Sequence, residues 1–282
     1  MRDQLSVAEA YRIARARLAG RPDLDADQVA AWLLRHLLGL DGTAFARRFV
    51  DPAPTVPRAA FFRLLRRLAR GEPFAYVVGT APFAGEELAV GPGVLVPRPE
   101  TEGLVELVAA EPACAELRTA LDLGTGSGAI AVLLARRCPT WTVTGIDQSP
   151  VAVLYARENA RRLGVRLRVR IALASIEAYV PPAPADVLVA NPPYVPEGAA
   201  VSPAARFEPP GALFAGPDGL AFYRLIAARL AAFVRPGGLV ALEIGAGQAA
   251  AALALLRAAG VRELSVRPDF RGLDRYVFGR AP

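Results

Sequence analysis

The sequence predicts an α/β protein in three parts. A small helical domain spans residues 1–72, a β-hairpin linker spans 73–97, and a parallel sheet covered by helices spans 98–282. Three observations lead there. From Glu100 onward, apolar runs of strand length alternate with runs of helix length, the order that a parallel sheet with crossover helices requires. One such strand runs straight into a glycine-rich loop, Gly124-Thr125-Gly126-Ser127-Gly128, and then into an apolar helix. Ahead of Glu72 the apolar periodicity is helical throughout.

In chain order, helices are expected at 7–19, 25–38, 42–49 and 58–69, punctuated by Pro22, Gly39 and the run Pro52-Ala53-Pro54. Asp25 is a candidate cap for the second of them. The stretch 73–97 changes character: Phe74, Tyr76, Val77, Phe83, Leu88 and Val94 stand between glycines and prolines, which reads as the hairpin. Helices then follow at 100–110, 129–137, 150–163, 219–233 and 248–259. Strands are expected at 120–123, 143–147, 167–171, 187–190, 239–244 and 263–266, with a last one at 275–278. No internal repeat is present.

Composition narrows the function classes. The chain has 282 residues and is 53% hydrophobic, enough for a well-filled core. It holds no uncharged apolar run of about 18 residues, so no membrane span is expected. Asp3 and Glu9 interrupt the start, so no secretory leader is expected either. Cys114 and Cys138 have neither metal nor disulfide spacing, which favours a reducing cytoplasm. His36, the only histidine, sits in an apolar helical stretch, so a histidine metal site or triad is excluded and no metal is expected. All basic residues are arginine, a mark of a GC-rich genome, and the net charge of +6 permits acidic partners without demonstrating nucleic-acid binding. The arginines between 63 and 70 read as the solvated face of an amphipathic helix.

The glycine loop and Asp147, which ends the next strand, fit a site for a nucleoside-bearing ligand. An acidic residue about 20 positions after such a loop commonly holds ribose hydroxyls. Gly124, Gly126 and Ala129 also fit the dinucleotide pattern, so a nicotinamide-dependent dehydrogenase competes on the loop alone. For Asp147, capping of the helix near Pro150 is an alternative. The most informative stretch is Asn191-Pro192-Pro193-Tyr194, at the end of the apolar run 186–190. Two prolines offer no N–H, so the strand ladder stops there and their carbonyls are free to accept other donors. With the Asn191 carbonyl and the flat Tyr194 ring, these groups suit a planar NH2 group. Methyl transfer to an amide or amino nitrogen is one reading; a strand-ending loop with a packed Tyr is the other. If the strand order reverses between the two loops, they face each other across one crevice.

These motifs, in this order, resemble the protein-(glutamine-N5) methyltransferases of the HemK/PrmC family, which modify peptide chain release factors. The resemblance is carried by Glu72-Pro73-Phe74-Ala75-Tyr76-Val77-Val78-Gly79, by Val96-Pro97-Arg98-Pro99-Glu100-Thr101-Glu102, by the glycine loop, by Asn191 to Tyr194, by Phe207-Glu208-Pro209 and by Leu242-Glu243-Ile244-Gly245. It implies a Rossmann-like sheet of the S-adenosylmethionine-dependent methyltransferases, with its last strand antiparallel. It implies S-adenosylmethionine as methyl donor and S-adenosylhomocysteine as product, and the glutamine of a release factor's Gly-Gly-Gln tip as acceptor. Alternatives are a glutamine of a ribosomal protein, or a base amine of a nucleic acid. On this reading Asn191 and Pro192 accept the substrate's N–H hydrogens, Pro193 and Tyr194 complete the acceptor site, and Tyr194 covers the amide face. Gly124, Thr125, Gly126, Ser127 and Gly128 pass near the donor's methionine portion, Asp147 binds its ribose, and Asn191 borders the donor as well as the substrate. Relatives usually carry Asp and an aromatic residue after the third strand; here Ser175 and Ile176 stand there, with Ile176 left to cover the adenine and Glu177 beside them. The stretch 97–102 is expected beside the donor and substrate entrance, or as linker and helix start with Thr101 near a cap, Phe207-Glu208-Pro209 at the substrate lip, and Glu243 within reach of the site or in a structural role. The helical domain is expected to dock the protein substrate. A monomer is expected, acting in the cytoplasm without stable binding to nucleic acid or membrane.

Overall fold

A computed structural model describes residues 3–21, 23–40, 54–111 and 117–282. These cluster into two compact units, one of Met1–Thr80 with Val201–Phe207, the other of Ala81–Ala200 with Glu208–Pro282.

The first unit is helical. Strand β1 (Gln4–Ser6) leads into α1 (Val7–Leu18), whose Ser6 cap accepts the Glu9 N–H. In α2 (Ala26–Leu38) the Asp25 cap accepts from Gln28, and Gly39 closes the helix in the left-handed conformation. β2 (Thr55–Pro57) pairs antiparallel with β1. These three-residue strands have no signal in the sequence pattern. α3 (Arg58–Ala69) follows, and Leu18, Leu33, Leu34, Phe61 and Leu68 form the buried centre. The helix expected at 42–49 lies outside the described residues.

The linker differs from expectation in its first part. Residues Phe74–Val78 form a short helix, α4, where aromatic and β-branched residues suggested a strand. The cause is local. Pro73 opens the turn and Gly79, at φ 86, ends it. The Arg67 guanidinium pairs with Glu72 and donates to the carbonyls of Tyr76 (2.9 Å) and Val77 (3.3 Å), taking up groups a helix end leaves unsatisfied. The hairpin itself is shorter, β3 (Thr80–Phe83) with β4 (Glu86–Ala89).

The second unit is a seven-stranded sheet in the order β10-β11-β9-β8-β5-β6-β7. Its strands are β5 (Thr119–Leu123), β6 (Thr142–Asp147), β7 (Val169–Leu173), β8 (Ala185–Ala190), β9 (Val234–Glu243), β10 (Arg262–Pro268) and β11 (Asp274–Arg280). β9, β8, β5, β6 and β7 are parallel, and β11 runs antiparallel between β9 and β10. Successive residues alternate between two cores. Ala120, Val187, Val189, Leu239 and Ala241 pack into one with helices α5 (Pro99–Ala109), α6 (Ala129–Arg137) and α7 (Pro150–Arg162). Leu121, Leu188, Val240 and Leu242 pack into the other with α8 (Ala221–Ala228), α9 (Leu230–Phe233) and α10 (Ala249–Ala258). A strand buried on both faces reads as a continuous apolar run, which is why these were visible in the sequence.

Element bounds differ from expectation by a few residues, and three differences have a visible cause. β7 starts at Val169 rather than 167, because Leu167 is 84% exposed and starts nothing buried. The single helix expected at 219–233 is two, broken at Arg229. β9 begins at Val234, five residues early, and a register shift between Ala185 and Val187 absorbs Pro236 and the two glycines. No helix among the described residues is long and apolar enough to cross a membrane.

Candidate active site

The strand order reverses between β5 and β8, which are parallel neighbours with Asp122 opposite Val189. The loops after their carboxyl ends therefore border one crevice, the position where open α/β sheets bind ligands. A cavity of about 290 Å³ opens there. Among the residues proposed from the sequence, Gly124, Gly126, Asp147, Ile176, Asn191, Pro192 and Pro193 line it.

Thr125, Ser127 and Gly128 stand behind the lining and build the loop. The Thr125 hydroxyl donates to Asp122 at 2.6 Å. Asp122 is fully buried, and burial pushes its carboxyl up to about 7. Gly128 has φ 81 and carries no Cβ for a physical reason: one would stand 3.0 Å from the Ala156 backbone of α7. Buried Asn159, also on α7, donates to the Ser127 carbonyl and to the Ala89 carbonyl, both at 2.9 Å, and accepts the Ala89 N–H at 2.7 Å. It ties the glycine loop to the hairpin. Nothing in the sequence marked it, since a polar residue at that helical position reads as solvated.

The Asp147 carboxylate accepts the N–H of Gly126 on one oxygen and of Ser149 on the other, each at 2.9 Å. It does not cap α7; Ser149 does, through the Ala152 N–H. Burial raises the Asp147 pKa against the pull of those two N–H donors. Each oxygen keeps further acceptor capacity, and the residue lines the cavity. Ser175 holds a turn by accepting the Ala178 N–H at 3.3 Å, and Ile176 presents an apolar wall with Ile146 and Phe222. Arg229, at the helix break, donates to the carbonyls of Ile176, Glu177 (2.6 Å) and Tyr179 (2.9 Å) and so fixes that turn. Two open glycines at positive φ, an acidic group at the cavity wall and the apolar wall of Ile146, Ile176 and Phe222 together fit a nucleoside ligand with a polar tail.

Across the crevice, the Asn191 side-chain nitrogen donates to the Thr101 hydroxyl at 2.8 Å, and that hydroxyl donates to Glu243 at 2.7 Å. Glu243 is fully buried at the end of β9, and burial pushes its carboxyl up to about 7. Tyr194 does not line the cavity. It is half-buried beside it, and a Cβ on Gly245 would come within 3.0 Å of its ring. Gln248 fastens it by donating to its carbonyl at 2.9 Å while accepting the Gly245 N–H at 2.9 Å. Of the segment expected at the substrate lip, Glu208 is buried instead. It accepts the Val96 N–H at 3.0 Å and pairs with Arg98, bracing the start of α5; only Pro209 reaches the cavity. Gly93, Val94 and Leu95 complete the wall, a segment the sequence showed only as linker.

The sheet order, the glycine loop and the position of the crevice define a methyltransferase of the Rossmann-like class. Residues 100–207 match the family model of the methyltransferase small domain. A methyltransferase from Pyrococcus furiosus superposes with a TM-score of 0.52 at 20% identity, over 76% of this chain and 96% of that one, which shows the fold. Residues 9–79 match the PrmC N-terminal domain. The release factor glutamine methyltransferase of Cereibacter sphaeroides is 41% identical over 99% of each chain. That of Bordetella pertussis is 42% identical over 92% of this chain and 95% of its own. The chain belongs to the release factor glutamine methyltransferase family.

Proposed function

We propose that the chain transfers the methyl group of S-adenosylmethionine to the side-chain amide nitrogen of the glutamine in the Gly-Gly-Gln motif of a peptide chain release factor. The observation that carries this is the orientation of Asn191. Its amide nitrogen is engaged by Thr101, so its oxygen is the end left for the cavity. Beside it stand the carbonyls of two successive prolines that no strand uses. Two acceptors suit the two hydrogens of a primary amide. The relatives' names and their near-full-length match support the choice of substrate.

An amide nitrogen is a weak nucleophile because its lone pair is delocalised into the carbonyl. S-adenosylmethionine supplies, when bound, a methyl group already activated on a sulfonium. The protein's task is then position and electrostatics. Asn191 and Pro192 hold the two N–H bonds of the substrate amide, draw density onto its nitrogen and aim the lone pair. Pro193 bounds the acceptor side, and Tyr194 stands beside the cavity and completes that loop. Asp147 holds the ribose hydroxyls, the loop from Gly124 to Gly128 carries the methionine end, and Ile176 covers the adenine. The helical domain, residues 1–72, holds none of these groups and serves to dock the large protein substrate. The test is tandem mass spectrometry of purified release factor incubated with the protein and S-adenosylmethionine. One added methyl on the Gly-Gly-Gln glutamine is expected; an unmodified glutamine would overturn the assignment.

A further inference from the structure

Glu243 and Thr101 are two polar side chains buried behind the crevice. Thr101 is 4% exposed and Glu243 not at all. They come from distant parts of the chain, the first turn of α5 and the carboxyl end of β9. A buried carboxyl group costs free energy unless its oxygens are hydrogen-bonded. Here one oxygen, Oε1, has no hydrogen-bond partner among the described residues, and the other accepts from Thr101. The Glu243 carboxyl group therefore meets the site through a single hydroxyl.

That hydroxyl has one proton to give. Because Glu243 takes it, the Thr101 oxygen faces Asn191 as an acceptor, and Asn191 must meet it with its nitrogen. A side-chain amide has nearly the same shape in its two flipped forms, so packing alone sets the flip weakly. The flip matters, since one form offers an acceptor to the cavity and the other offers a donor. A donor there would repel the N–H of a substrate amide.

We propose that Glu243 and Thr101 are positioning residues for methyl transfer, a two-link chain that fixes which end of the Asn191 amide faces the cavity. This rests on the reading of Asn191 as the acceptor for the substrate amide. Neither residue touches substrate or donor; each acts through Asn191.

The test uses the full chain with purified release factor, measuring kcat and KM, and S-adenosylhomocysteine affinity by calorimetry. Thr101→Val keeps the shape and removes the hydroxyl. It should lower kcat at least ten-fold and leave S-adenosylhomocysteine affinity within two-fold. Thr101→Ser, which restores the hydroxyl, should return kcat to within about three-fold of the parent. In the Thr101→Val background, Glu243→Gln should cost nothing further in kcat, because the chain is already cut. A folded Thr101→Val with parental kcat, or losses that multiply in the double variant, would overturn the proposal. Should Thr101→Val fail to fold, Glu243→Met, which keeps the length and removes both acceptor oxygens, decides it: a kcat loss at unchanged S-adenosylhomocysteine affinity supports the chain, and unchanged kcat overturns it. Asn191→Ala separates the two layers. If it is inactive while Thr101→Val is fully active, only the positioning chain falls. If it turns over normally, the reading of Asn191 falls and the chain with it.

Discussion

Asn159 joins two pieces of the second unit that no backbone ladder connects, and its replacement should show how much that junction carries. Asn159→Leu keeps a branched side chain of similar shape and removes one acceptor and two donors. The buried groups left behind are the N–H and carbonyl of Ala89 and the carbonyl of Ser127. Stranding a buried polar group costs roughly 1–3 kcal/mol. Three such groups, with some relief by relaxation, give a loss of about 3–5 kcal/mol. For a unit of this size that lowers the melting temperature by on the order of 10 °C. The assay is urea unfolding followed by circular dichroism, with S-adenosylhomocysteine affinity measured in parallel. Affinity should fall too, because Ser127 belongs to the glycine loop. Asn159→Asp is the control: it keeps the acceptor but cannot donate to either carbonyl, and should destabilise comparably. A loss below about 1 kcal/mol in both variants would refute the reasoning, since it would mean that water or relaxed backbone satisfies all three groups.

Further outcomes follow from the same geometry. Asn191→Ala should abolish turnover while leaving S-adenosylhomocysteine affinity nearly intact; near-normal turnover removes the acceptor role. Asp147→Ala should weaken that affinity by one to a few powers of ten, as charge-assisted bonds are worth roughly 1.5–3 kcal/mol each; unchanged calorimetric affinity would leave Asp147 as a brace for Gly126 and Ser149 only. Asp122 and Glu243 both have carboxyls pushed up to about 7 by burial. Glu243 is faced by Arg98, Glu100, Tyr194, Tyr223, Arg275 and Tyr276, of which the two arginines lower its pKa and Glu100 raises it. The folded form thus holds protons the unfolded chain has lost, so stability is full below the ordinary carboxylate range and declines as pH rises through about 7. Urea unfolding between pH 5 and 8 should show that decline in the parent and a shallower one in Glu243→Gln; parallel curves would contradict it. Removing residues 1–72 should leave a chain that binds S-adenosylhomocysteine but methylates release factor poorly, once circular dichroism shows it folded; full activity would refute docking by the helices.

Much of the second unit was legible because its signals are redundant. A strand buried on both faces must be apolar throughout, and three glycines in five positions between such a strand and a helix mark a backbone that a ligand approaches closely. Positions that depend on distant partners were not legible. Phe74 to Val78 look like a strand until Arg67 is seen collecting their carbonyls. Leu167 looks like a strand start until its exposure is known. Arg229, Gln248, Asn159 and Thr101 are polar residues in or beside helices, where the pattern reads solvent. Each instead reaches into another segment, and a one-dimensional pattern carries no sign of that. Glu208 shows the converse: it marked a candidate substrate lip, and burial makes it a brace for Arg98.

The fastening of Tyr194 bears on how acceptor preference can be inherited or transplanted. The loop after β8 is not held by its own residues alone. Gln248 grips it from the turn after β9, and Gly245 clears room for its ring. Val195 and Ala215 bind it to the segment that follows. The four residues Asn191 to Tyr194 are therefore one half of a module whose other half lies some fifty positions later. A laboratory graft of the short motif alone onto another sheet would carry the letters without the clamp. On the proposed reading of the motif, a replacement at Gly245 or Gln248 would alter acceptor handling without touching the motif itself.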